Sequence, residues 1–228
     1  MQEAAEKKAS YHYQMGVSKL GESDATGALI ELTEAEKLKP DDPAILYGLA
    51  RAYFEKKKFL IAEEKYLAAL KLKPDNSAVR NDLGVNYLEM KRWDEAINQF
   101  KLAINDIFFQ GHNEAKINLG LAYLGKNDHD AALGEFRKLI PLIPRDPRPR
   151  YYMGMVYAAM DKNELASGEF KKAVELYPEY TLAYYQQGLV SLKLKLNAQA
   201  AAAFREVVRL APDSEVGQLS REQLDQLK

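Results

Sequence analysis

The feature that most restricts this chain is a repeat. Blocks of 34 residues begun at Ala9, with two residues inserted after the third block, place Gly16, Ala50, Gly84, Gly120, Gly154 and Gly188 at the eighth position. Twelve positions later an alanine stands in every block: Ala28, Ala62, Ala96, Ala132, Ala166 and Ala200. With alanine at roughly 13% of the chain, six in six at one register is about a five-in-a-million coincidence, so the period belongs to the fold. Position 24 is large and apolar as Leu32, Tyr66, Phe100, Phe136, Phe170 and Phe204, and Pro40, Pro74, Pro144, Pro178 and Pro212 close five of the blocks.

This is the tetratricopeptide pattern: a helix A with a small residue at position 8, a helix B with alanine and a large apolar residue, then proline. The small residues let the paired helices approach, the large one is expected to fill the space between repeats, and proline ends a helix it cannot continue. The expected fold is all-α, an α-solenoid of six helix-turn-helix repeats with a C-terminal capping helix. Residues 1–8 read as a polar lead, 9–42, 43–76, 77–110, 113–146, 147–180 and 181–214 as the repeats, and 215–228 as the cap. In the cap Val216, Leu219, Leu224 and Leu227 fall on one helical arc, suited to covering the last repeat's apolar face.

Composition removes several function classes. With 32 Lys+Arg against 33 Asp+Glu there is no basic footprint for nucleic acid or an anionic membrane. The absence of cysteine excludes disulfides, thiol catalysis and cysteine-bound zinc. No apolar run approaches the length of a membrane span, and the opening residues hold no apolar core of a secretory signal. His12, His112 and His129 are isolated in the repeat register, and neither a phosphate-loop glycine motif nor a nucleophile elbow occurs. The expectation is a protein without catalytic residues, cofactor or metal.

Helix-A positions that face the groove of such a superhelix carry the binding signal. Position 5 supplies Tyr13, Tyr47, Asn81, Ile117, Tyr151 and Tyr185; position 9 supplies Val17, Arg51, Val85, Leu121, Met155 and Leu189. Tyrosine joins a large apolar surface to a hydroxyl with few rotors to freeze, which suits a peptide or partner helix. Part of these columns also serves packing between neighbouring A helices. The clamp that some tetratricopeptide domains use for acidic tails is matched only at Asn118 and Arg148, and Asn81, Val85 and Tyr152 break it. Phe108 and Phe109, in the turn that carries the insertion, form a possible loop contact, and Pro141, Pro144, Pro147 and Pro149 are expected to shorten the fourth helix B and fix the next helix start.

Asn81-Asp82-Leu83-Gly84, Trp93-Asp94-Glu95-Ala96, Ala103 to Phe109, and Asn118-Leu119-Gly120 after the longer turn resemble the outer-membrane pilotin lipoproteins of type IV pilus systems. Pro212-Asp213-Ser214-Glu215 is similar to that family's ending. The resemblance implies a non-enzymatic assembly factor at the periplasmic face of the outer membrane that binds the pilus secretin subunit and promotes its multimerisation. It also implies membrane contact through a lipid-modified cysteine that this chain lacks, with the polar lead as its tether. A cytoplasmic scaffold or chaperone cofactor with another peptide client is the alternative.

Overall fold

The structure, a computed structural model, describes residues 2–227. Thirteen α-helices and no strand occur among them. In chain order the helices are α1 (Gln2–Gly21), α2 (Ala25–Leu38), α3 (Pro43–Glu55), α4 (Phe59–Leu72), α5 (Ser77–Glu89), α6 (Trp93–Ile104), α7 (His112–Gly125), α8 (His129–Leu139), α9 (Arg148–Ala159), α10 (Asn163–Leu176), α11 (Thr181–Lys193), α12 (Asn197–Leu210) and α13 (Glu215–Gln226); α1 packs on α2, α3 on α4, α5 on α6, α9 on α10 and α11 on α12 as A/B pairs. The chain divides into two compact units, Met1–Ala122 and Tyr123–Lys228, each a stretch of α-solenoid.

In the first unit the position-24 side chain lies on the small residue of its own repeat. A Cβ on Gly84 would stand 2.5 Å from Cε1 of Phe100, and one on Gly16 would stand 2.5 Å from Cγ of Leu32. The sequence reading placed this residue between repeats; it packs inside its own pair, where the glycine makes room for it, as well as against the following helix A. Leu32 also reaches the next repeat, since a Cβ on Gly48 of the following helix A would meet it at 2.9 Å, and in the second unit Phe136 stacks on Tyr152 of the following helix A at 5.4 Å. Leu20, Ala28, Leu32, Ala35, Ile45, Leu49 and Ala52 form one core around this contact.

The polar lead is helix rather than tether. Gln-Glu-Ala-Ala-Glu-Lys-Lys holds good helix formers and no glycine or proline, Glu3 occupies the first turn, and Lys7 Nζ meets Glu3 Oε1 at 2.7 Å one turn on. Helix A of the first repeat therefore begins at Gln2, and Ala9 is buried.

In the second unit Phe170 and Phe204 lie on Gly154 and Gly188, where a Cβ would stand 2.6 and 2.5 Å from the ring. The proline cluster acts as the sequence indicates: α8 has 11 residues against 14 in α10 and α12, and Pro147 is the N-cap of α9 with Pro149 in its first turn. Helix α13 packs on α12 and reaches α11. Its N-cap is Ser214, whose Oγ accepts from Gly217 N at 3.1 Å. Gly217 and Ser220 are the residues it buries fully, while Val216, Leu224 and Leu227 are half-buried and Leu219 is more exposed.

Candidate functional site

The helix-A face of the first unit holds a polar network set in aromatic surroundings. Tyr47 Oη donates to Asp82 Oδ2 at 2.7 Å, and Asn81 Nδ2 donates to Asp82 Oδ1 at 3.2 Å. Asn118 Nδ2 donates to Asn81 Oδ1 at 3.5 Å, and the Arg51 guanidinium lies 5.8 Å from the Tyr47 ring centre. Burial, reinforced by the Asp82 charge, pushes the Tyr47 and Tyr66 hydroxyls well above the usual phenol range, so both remain donors. Arg51, Phe54, Glu55, Tyr66, Asp82 and Val85 line a cleft of about 210 Å³. It offers an apolar wall, a guanidinium and a carboxylate to whatever enters.

The position-5 and position-9 residues do not share one environment. Tyr13 lines a different cleft, of about 200 Å³, with Glu6, Ser10, Lys39 and Asp42, and Val17 is exposed. Val85 and Leu121 are half-buried, whereas Ile117 is only 2% exposed and belongs to the core. In the second unit Met155, Tyr185 and Leu189 are half-buried, with the Tyr185 ring 6.0 Å from Phe204. Tyr151 is 8% exposed, its ring 5.0 Å from Tyr180, 5.2 Å from Tyr152 and 5.8 Å from Phe170. Ile117 and Tyr151 are thus spent on packing and present no surface to a partner. Arg148 is held by Asp146, with Nη2 to Oδ2 at 2.6 Å, which removes it from a carboxylate clamp.

The long turn separates its two phenylalanines. Ser77 Oγ donates to Asp106 Oδ2 at 2.8 Å and Phe108 N to Asp106 Oδ1 at 3.0 Å, which together hold that carboxyl below its ordinary range. Phe109 N donates to Asp106 O at 3.0 Å, its ring lies 5.8 Å from His112, and it fills the space where Gly111 would otherwise carry a Cβ. Phe109 is therefore half-buried, while Ile107 and Phe108 stand out at 80% and 85% exposure.

Sequence reasoning missed Ile107, Asp82 and Tyr66. Tyr66 had a signal: it is the one hydroxyl in a column otherwise Leu or Phe. The histidines have separate surroundings. His12 Nδ1 meets Glu31 Oε2 at 2.7 Å, His112 Nε2 meets Ile104 O at 3.0 Å, and His129 Nε2 is buried without a partner. No group of three metal-ligand side chains occurs among the described residues, nor any helix long and apolar enough to cross a membrane.

Comparison with known proteins agrees with this architecture. No curated protein sequence matches the chain. Solved structures do: PilW, a widely conserved type IV pilus biogenesis factor, at a TM-score of 0.82 and 18% identity over 92% of this chain and 97% of that one. PilF of Pseudomonas aeruginosa matches at 0.75 and 20% over 96% and 99%. YrrB, a tetratricopeptide protein with an unusual peptide-binding site, matches at 0.57 and 18% over 84% and 97%. The tetratricopeptide-repeat family model matches residues 13–77, 49–108, 81–147 and 151–215, and with that coverage the chain belongs to the tetratricopeptide-repeat family, whose members are scaffolds for protein interaction.

Proposed function

We propose that this chain is a pilotin: a non-enzymatic scaffold at the periplasmic face of the outer membrane that binds the type IV pilus secretin subunit and promotes its multimerisation. The observation that carries the reading is the cleft of Arg51, Phe54, Glu55, Tyr66, Asp82 and Val85, whose Asp82 accepts a hydrogen bond from Tyr47. Its mixed apolar and charged lining suits a peptide segment better than a small metabolite. The match to PilW and PilF along nearly the whole chain supports the pilus assignment. The reading divides the chain into a lead at 1–8, six repeats over 9–214 and a cap at 215–228.

Recognition in this scheme uses two features of the first unit. The cleft reads the client's side chains, and the Ile107–Phe108 turn adds an apolar contact held rigid by Asp106. The test is co-purification of the secretin subunit with the tagged chain, with fractionation of the envelope. Secretin capture and heat-resistant multimers that vanish when the gene is deleted are expected. A cytoplasmic location with no secretin bound would replace this reading by that of a cytoplasmic scaffold.

A further inference from the structure

The turn between α3 and α4 carries Lys56-Lys57-Lys58, the one run of three like charges in the chain, followed at once by Phe59-Leu60-Ile61. All three lysines are exposed, and no carboxylate among the described residues pairs with them; Lys56 Nζ donates to Thr26 Oγ1 at 3.2 Å. Leu60 is 69% exposed and Ile61 is exposed beside it. Phe59 is half-buried, its ring 5.6 Å from Phe54, and its carbonyl accepts from Asn86 Nδ2 at 3.0 Å, so the tip is fixed from behind.

Local helix physics favours other residues here. Lys57 has φ of 56°, a region that suits glycine or asparagine. Lys58 is the N-cap of α4 and makes no capping bond, as is also true of Arg92, Lys162 and Leu196, whereas Asp24 and Asp128 cap at the same place in their repeats. Lys57 and Lys58 stand just ahead of the α4 N-terminus, where the macrodipole disfavours cations, while Lys56 is the C-cap of α3, and two aliphatic side chains of the first turn of α4 face water. The exposed aliphatic pair beside the unpaired lysines is unfavourable for the isolated fold and favourable against a surface that is anionic outside and apolar just beneath.

We infer that residues 56–61 form a docking tip for an anionic phospholipid surface, with the lysine ammoniums on headgroup phosphates and Leu60 and Ile61 at the headgroup–acyl boundary. Unpaired ammoniums beside exposed aliphatic side chains are complementary to anionic headgroups above an acyl layer. Glu55 on one side and Glu64 one turn beyond Leu60 limit the contact to headgroup depth. This goes beyond the pilotin reading, is independent of the client, and departs from the expectation drawn from overall charge balance, because the three lysines concentrate positive charge locally in a chain that is balanced as a whole.

The test is co-sedimentation of the full chain with phosphatidylcholine vesicles, with and without roughly 30% phosphatidylglycerol, at low and high salt. Association is expected only with the anionic vesicles, weakened by salt. It should fall about tenfold or more in Lys56→Ser/Lys57→Ser/Lys58→Ser and severalfold in Leu60→Ser/Ile61→Ser. Lys71→Ser/Lys73→Ser, at the other end of α4, should bind as the wild type does, and all variants should keep the wild-type helical circular dichroism. No preference for anionic vesicles, equal loss in the Lys71/Lys73 control, or no effect of the Leu60/Ile61 change would overturn the proposal. So would lysine-dependent binding of polyglutamate without vesicle association, which would assign the tip to an acidic protein.

Discussion

Six residues in the left-handed backbone region recur with the repeat: Ser23, Lys57, Lys91, Asn127, Asp161 and Lys195, with φ from 53° to 64°. Each ends a helix A, and the residue after it donates to a carbonyl five residues back, as Arg92 N does to Tyr87 O at 2.9 Å. None is glycine, so each repeat carries the strain of a Cβ in this conformation. Lys91→Gly should relieve it and raise stability by about 0.5–1 kcal/mol after the added freedom of the unfolded chain is counted. Asn127→Gly should gain less, since asparagine tolerates the region; urea midpoints with an unchanged slope would check both. Asp42 works at the opposite helix end, its carboxylate accepting from Ala44 N at 2.8 Å and Ile45 N at 3.3 Å. Burial pushes this carboxyl up, but Lys39 and the two backbone donors outweigh burial and hold it below its ordinary value. Its folded affinity for a proton is therefore lowered, so its contribution is full above about pH 4 and disappears as pH falls through the folded value. Asp42→Ala should cost about 1 kcal/mol at pH 7, and the gap from the wild type should close in acid denaturation curves below about pH 4.

At the scale of elements, the cap α13 is seated through small residues. A Cβ on Gly217 would run into the carbonyl of Ala211, so Gly217→Ala should lift the helix off α12. A loss of about 1–3 kcal/mol is expected, read as a lower Tm and faster amide exchange in α12. The apolar arc that marked this helix in the sequence describes its amphipathic character, while the seat is made by Gly217 and Ser220, which no periodicity of large residues reveals. The same division runs through the chain. Helix pairing, repeat register and the shortened α8 were legible because they follow from residue size, period and proline, each a local property. The helical lead was misread because polarity was taken for looseness, although its alanines and glutamates are strong helix formers. The columns proposed for binding can be read from the sequence as positions but not as exposures. Whether Tyr151 faces solvent depends on Tyr152, Phe170 and Tyr180 crowding it, and such contacts between elements leave no trace in a one-dimensional pattern.

For the molecule as a whole, the proposed function assigns stability and recognition to different members of the same tyrosine column, and this separates two mutational phenotypes. In a solenoid each repeat rests on its neighbours, so the cost of losing a ring depends on what surrounds it locally. Tyr151 is packed among three aromatic rings, and Tyr151→Ala should cost about 3 kcal/mol of stability by leaving a cavity. Tyr47 is half-buried on the helix-A face and spends its hydroxyl on Asp82, and Tyr13 lines the separate cleft beside Lys39 and Asp42. If the client lies along this face, Tyr13→Ala/Tyr47→Ala should remove about 2 kcal/mol or more of binding, roughly 30-fold in affinity, with the helical signal intact. Tyr47→Phe keeps the ring and deletes only the bond to Asp82, so it measures the polar part alone and should cost less than the alanine change. Tyr151→Ala should lower Tm while leaving the affinity of the folded fraction unchanged. The measurement pairs thermal unfolding with titration of the purified secretin subunit for each variant. Wild-type binding by Tyr13→Ala/Tyr47→Ala would move recognition away from the tyrosine face to the Ile107–Phe108 turn, where Phe108→Ser would then have to abolish it.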